Sequence, residues 1–267
     1  MSKLDELRKL FIESVLLYGG NLSKDNYPSK PRNLLETASL CSYNSKLIFE
    51  YFIQYRVTED LLNLWNNDYF VKFEFDWFSI VFLRKINMKA RARTAISKDG
   101  KRPIIYLRAN NFNQVLKDTK ELNKLFNSMY RESLQLLSLI HEFCHALQVK
   151  DYGVSFFESC RNKYKNDVDC FLEIEAYATQ AIVLSGNSNI SLSELFLFVE
   201  SVGKELEFMK EVVVKNKDII ENLYNVDRNL KESENLVSVF KGYSGGSLED
   251  LKNILSEEDF KKLEEDE

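Results

Sequence analysis

The sequence predicts an α+β protein, mostly helical, with a small antiparallel sheet placed before one long helix. Three observations carry this. Apolar residues recur at helical spacing through most of the 267 residues. β-branched and aromatic residues gather between Tyr69 and Leu107, around an Asp99-Gly100 turn signal. Beyond them, Leu134, Leu137, Ile140, Cys144 and Leu147 form one apolar helical stripe.

Taken in order, Leu4, Leu7, Phe11, Val15 and Tyr18 share a stripe that ends at Gly19-Gly20, a helix stop. A segment with Pro28 and Pro31 precedes a helix expected over 34–55. Thr58 before Glu59-Asp60 reads as the N-cap of another, ending near Asn66-Asn67. Strands are expected over 69–75 and 77–83. A hairpin is expected from Arg93–Ser97 to Pro103–Leu107 across Lys98-Asp99-Gly100-Lys101. A short helix over 113–126 and a long one over 130–149 follow, the latter stopped at Asp151-Tyr152-Gly153. Helices are then expected over 169–184, 191–215 and 218–240. Gly242-Tyr243-Ser244-Gly245-Gly246 reads as a flexible joint before a last helix capped by Ser247. These elements group as an N-terminal helical segment (1–67), a central core (68–190) and a C-terminal helical segment (191–267), within one compact domain.

Composition bounds the function. With 45% hydrophobic and 29% charged residues the chain is ordinary globular material. A net charge of −5 and the absence of a long Lys/Arg cluster argue against a nucleic-acid partner. The first residues, Met1-Ser2-Lys3-Leu4-Asp5-Glu6, are charged where an export signal turns apolar, and no apolar run approaches bilayer length. No membrane partner and a cytoplasmic location are therefore expected; a leaderless toxin or a virion protein would share this composition. Cys41, Cys144, Cys160 and Cys170 lack both disulfide-scaffold density and C-x-x-C spacing, and are expected as reduced thiols.

The two histidines of the chain stand four apart, in His141-Glu142-Phe143-Cys144-His145. On a helix this spacing turns both imidazoles to one side, where they can share a zinc ion, and Glu142 can act as general base. Phe143, Cys144, Ala146 and Leu147 are uncharged, which suits a buried helix. Two core histidines satisfied by hydrogen bonds, with Glu142 a solvated acid, is the plainer alternative.

A catalytic zinc takes three protein ligands and leaves one position for water. No histidine remains, so the third ligand must be a carboxylate or a thiolate. In the helix over 169–184, Phe171, Glu175, Ala178 and Ile182 share a stripe, which sets Glu175 in an apolar face. A buried carboxylate is costly unless paired or metal-bound, so Glu175 is the expected ligand. Glu173, on the opposite face with Tyr177 and Gln180, is the weaker candidate, followed by Asp169, Cys170 and Glu158. The developing oxyanion needs a donor besides the metal. Tyrosine is the natural one here, from Tyr152, Tyr164 or Tyr177.

His141-Glu142-x-x-His145 followed by Glu173-x-Glu175-Ala176 resembles gluzincin-type zinc metallopeptidases. It loosely resembles the ImmA/IrrE-like family, whose third ligand sits in a comparable Glu-x-Glu-Ala helix, and anthrax-lethal-factor-like toxins are similar. Tyr177 stands where the ImmA/IrrE-like pattern usually has Asn. The resemblance covers about 134–184 and implies a zincin-like fold with Zn2+ as cofactor. It also implies a protein or peptide substrate, hydrolysed endoproteolytically by a zinc-bound water that Glu142 activates. In such enzymes an edge strand before the active helix pairs with extended substrate backbone; Pro103–Leu107 stands in that place, with an interior strand as the alternative. A catalytically silent module that uses the same fold for binding or scaffolding is the runner-up, and a helical interaction protein with an accidental motif the third.

Overall fold

The computed structural model describes residues 33–55, 63–64, 66–84, 92–108, 122–163, 170–187, 189–225 and 240–264. The N-terminal stripe, most of the helices expected from Thr58 and Asn113, and Tyr164 and Asp169 lie outside them. The elements are α1 (Leu34–Tyr55), β1 (Phe70–Phe75), β2 (Ser79–Leu83), β3 (Ala92–Ile96), β4 (Pro103–Arg108) and α2 (Leu122–Tyr152). They continue with α3 (Val154–Lys163), α4 (Phe171–Leu184), α5 (Leu192–Ser201), α6 (Glu207–Lys215) and α7 (Lys217–Tyr224). β5 (Phe240–Gly246), α8 (Leu248–Ile254) and α9 (Glu257–Glu264) complete the order. The α+β class holds.

Two compact units share these elements: Met1–Tyr43 with Leu147–Glu234, and Asn44–Ala146 with Asn235–Glu267. The divisions fall inside α1 and α2, so both helices contribute residues to each unit.

The second unit is built on a five-stranded sheet in the order β3-β4-β2-β1-β5. The expected hairpin is there: β3 and β4 pair antiparallel around Gly100, whose φ of 69° is the left-handed conformation an Asp-Gly turn needs. The sheet as a whole corrects the antiparallel expectation, since β2 and β4 pair in parallel. It also corrects the edge-strand expectation. β4 lies between β3 and β2, so its backbone groups are taken on both sides. Its run Ile104-Ile105-Tyr106-Leu107 is buried throughout, the continuous apolar pattern of an interior strand. Among the described strands, β3 and β5 end the sheet.

The Gly-rich stretch near the C-terminus is a further correction. Phe240–Gly246 is strand β5, paired antiparallel with β1, and not a joint. Its glycines serve close approach. A Cβ on Gly245 would lie 2.3 Å from Asp68 Oδ2, and one on Gly246 would lie 2.9 Å from the Phe70 ring. Ser247 then caps α8 through a reciprocal box with Asp250, as the sequence predicts. Leu251, Leu255 and Phe260 bury themselves against Phe70, Val81, Leu83, Ala95, Ile104 and Tyr106. Arg93 on β3 pairs with Asp259 on α9 at 3.0 Å. The last two helices are thus part of the sheet's core. At the start of β2, Phe78 and Trp77 meet Phe143 with centroids 5.4 and 5.9 Å apart, fixing the motif helix to the sheet.

The first unit centres on α4, buried from Phe171 to Ile182 except at Glu173 and Tyr177. It contacts α3, α5, α6 and α7. The single helix expected over 191–215 is divided: α5 ends at Ser201 and a 3-10 turn over Lys204–Leu206 leads into α6. Ser191 and Glu194 form a capping box at the start of α5. Asn33 caps α1 at Leu35 N, 2.9 Å away, and its amide donates to the Tyr224 carbonyl at 2.9 Å. The four cysteines are free and buried. Burial, with Cys170 close by, pushes the Cys160 thiol up to about 12, so it is an inert core thiol.

Tyr106 generates a stability prediction. Its ring is buried on β4, and its hydroxyl finds no hydrogen-bond partner among the described residues. Burial, reinforced by Asp259 and opposed by Arg93, raises the phenol well above its ordinary 10.0. The buried neutral phenol therefore favours folding below pH 10.0, and that contribution is lost as pH climbs past the unfolded value towards the folded one. Tyr106→Phe removes an unsatisfied hydroxyl and should raise stability by about 1 kcal/mol at pH 7 in denaturant titrations. It should also flatten the fall in stability above pH 10.0. Destabilisation of that size would show the hydroxyl to be bonded.

Candidate metal centre

His141 and His145 lie one turn apart on α2, both buried, with their Nε2 atoms 3.2 Å apart and their rings at 87°. Two nitrogens bound to one tetrahedral zinc at about 2.05 Å would stand about 3.3 Å apart, so this spacing fits a shared ion. Among the described residues, one group of three side chains offers metal-ligand atoms all within 4.8 Å of one another: His141, His145 and Glu173. Two imidazoles and one carboxylate leave a position for water, the composition of a catalytic rather than a closed structural zinc site.

The third member differs from the expected ligand. The apolar-stripe reading puts Glu175 inside the fold, and it is buried, at 1% exposure. What meets it there is a set of hydrogen-bond donors. Gln148 Nε2 donates to its Oε2 at 2.8 Å, and the Tyr152 hydroxyl lies 3.1 and 3.2 Å from its two oxygens. The same amide donates to the Leu172 carbonyl at 2.9 Å. Glu175 is thus accommodated by hydrogen bonding, and Glu173, half-buried two residues earlier, is the acid gathered with the histidines. Of the weaker candidates, Glu158 is exposed on α3 and Cys170 is the buried residue before α4.

Glu142 points to the sheet. Thr94, buried on β3, lies 2.8 Å from Glu142 Oε2 and 2.9 Å from the Glu142 carbonyl, so its hydroxyl donates to both. One carboxylate oxygen is thus anchored to β3. Nothing in the sequence singles out Thr94, a β-branched residue in a strand of ordinary pattern.

Among the tyrosines, Tyr152 is engaged with Glu175 and packs against Phe156 and Phe171 with centroids 5.5 and 6.3 Å apart. It is therefore a structural donor. Tyr177 lies one turn beyond Glu173 on α4, half-buried, its ring edge-on to Phe208 at 5.3 Å. Gln148 is a further residue that the sequence reading passes over. Its signal is spacing: His141, His145, Gln148 and Tyr152 recur at intervals of four, three and four along one side of α2.

The two acids can be told apart by metal content. Elemental analysis should find about one zinc per chain in the wild type and in a folded Glu175→Gln variant, but much less in Glu173→Ala. The reverse pattern would restore Glu175 as the ligand.

No protein-family model, curated protein or solved structure matches this chain, so its function has to be read from its own residues.

Proposed function

We propose that this chain is a zinc-dependent endopeptidase whose metal is held by His141, His145 and Glu173. The observation that supports the reading most is the pair of imidazole nitrogens 3.2 Å apart on one buried helix, with an anchored carboxylate between them in sequence. A structural zinc site would have no use for Glu142.

Bound zinc would supply Lewis acidity and lower the pKa of an attacking water. The residues of the chain do the rest. Glu142, fixed through Thr94, takes the proton from the water with its remaining oxygen and passes it to the leaving amine, so one carboxylate serves as base and then acid. Tyr177, one turn along α4 from Glu173, is the proposed donor to the developing oxyanion. Tyr164, another tyrosine the sequence nominates, lies outside the described residues. The substrate is an extended protein or peptide segment.

Among the described residues, no helix is long and apolar enough to cross a membrane, which is compatible with the proposed cytoplasmic location.

Glu142→Gln tests the mechanism. On a pool of unfolded proteins, with cleavage sites read by mass spectrometry, it should lower cleavage by about 100- to 10,000-fold while zinc content stays at the wild-type level. Undiminished cleavage would contradict the assignment of Glu142. Wild-type protein that holds zinc and cleaves nothing would favour the silent binding module.

A further inference from the structure

We propose that Gln148 and Tyr152 are positioning residues for the metal centre, acting through Glu175 to set the helix that carries Glu173. The inference rests on the reading of Glu173 as a metal ligand. Residues two apart lie about 200° apart around a helix, so Glu173 and Glu175 cannot take the same place against one neighbour. The rotation of α4 about its own axis decides which of them Gln148 and Tyr152 meet.

Three hydrogen-bond contacts fix that rotation. Gln148 Nε2 spans the Leu172 carbonyl and Glu175 Oε2 at 2.9 and 2.8 Å, while the Tyr152 hydroxyl closes on the same carboxylate at 3.1 Å. All lie in the first turn and a half of α4, on either side of Glu173 in sequence. The donors follow His145 on the same helix, three and seven residues on. Both histidines and the two clamp donors belong to one α-helix in sequence, α2. Burial makes the clamp selective. A rotation that brought Glu175 round to the metal would strip its carboxylate of these donors in an interior where unpaired polar groups are costly.

Zinc affinity, read by competition with a chromogenic chelator, tests this without any substrate. Gln148→Met keeps the side chain's length and removes its donors; Tyr152→Phe removes one hydroxyl. We expect zinc to bind about tenfold more weakly in Gln148→Met and a few-fold more weakly in Tyr152→Phe. The visible spectrum of cobalt(II)-loaded Gln148→Met should move toward that of Glu173→Gln. In a Glu173→Gln background neither substitution should weaken zinc binding further, because the residue they act through is gone.

Folding is checked by circular dichroism, and if Gln148→Met does not fold, Tyr152→Phe decides alone. Affinities within twofold of wild type in folded variants would overturn the positioning role and leave the metal centre standing. Losses that add in full on the Glu173→Gln background would also overturn it, since they indicate general damage. Wild-type protein that binds no zinc would remove the metal centre and the positioning role together.

Discussion

A row of four polar side chains on one buried side of α2 is the constraint on which the candidate site depends. His141, His145, Gln148 and Tyr152 are all buried, and each must find a partner or destabilise the fold. The last two answer this by bonding to Glu175 and the Leu172 carbonyl of α4. The first two face each other through ring nitrogens, the pairing that a metal ion would complete. The row thus divides into a half that grips another helix and a half that offers ligands.

The sheet reaches the Glu142 carboxylate through Thr94. Thr94 of β3 bonds both the carbonyl and the side chain of Glu142, so the edge strand fixes the carboxylate that lies beside the histidines in sequence. The core under that strand is closed from the far end of the chain. Leu251, Leu255 and Phe260 bury against Ala95, Ile104 and Tyr106, and Asp259 holds Arg93, the residue before Thr94. The position of Glu142 therefore draws on residues more than a hundred places away in sequence. Long-range packing of this kind is what lets a single hydroxyl hold a carboxylate in one orientation.

Local signals were legible and long-range ones were not. The His-Glu-x-x-His spacing, the apolar stripe of α2, the Asp99-Gly100 hairpin and the Ser247 cap each depend on residues within a turn or two of one another, and each is present. The burial of Glu175 follows from its stripe in the same way. Its partner does not, because periodicity states that a side chain faces inward and not what it meets. Gln148 and Tyr152 stand more than twenty residues before it. Nor does local pattern distinguish glycines that bend from glycines that let strands approach. Gly245 and Gly246 belong to the second kind because of Asp68 and Phe70 on the neighbouring segment. The place of β4 inside the sheet rather than at its edge is a matter of strand order, which no single strand encodes.

Diffraction at the zinc absorption edge from zinc-loaded crystals would show whether two histidines and Glu173 hold a metal. One anomalous peak is expected about 2.0–2.1 Å from both imidazole Nε2 atoms and about 2.0–2.2 Å from a Glu173 oxygen, with Glu175 still bonded to Gln148 and Tyr152. A peak bound by Glu175, or no peak at the histidines in crystals grown with excess zinc, would contradict that ligand set.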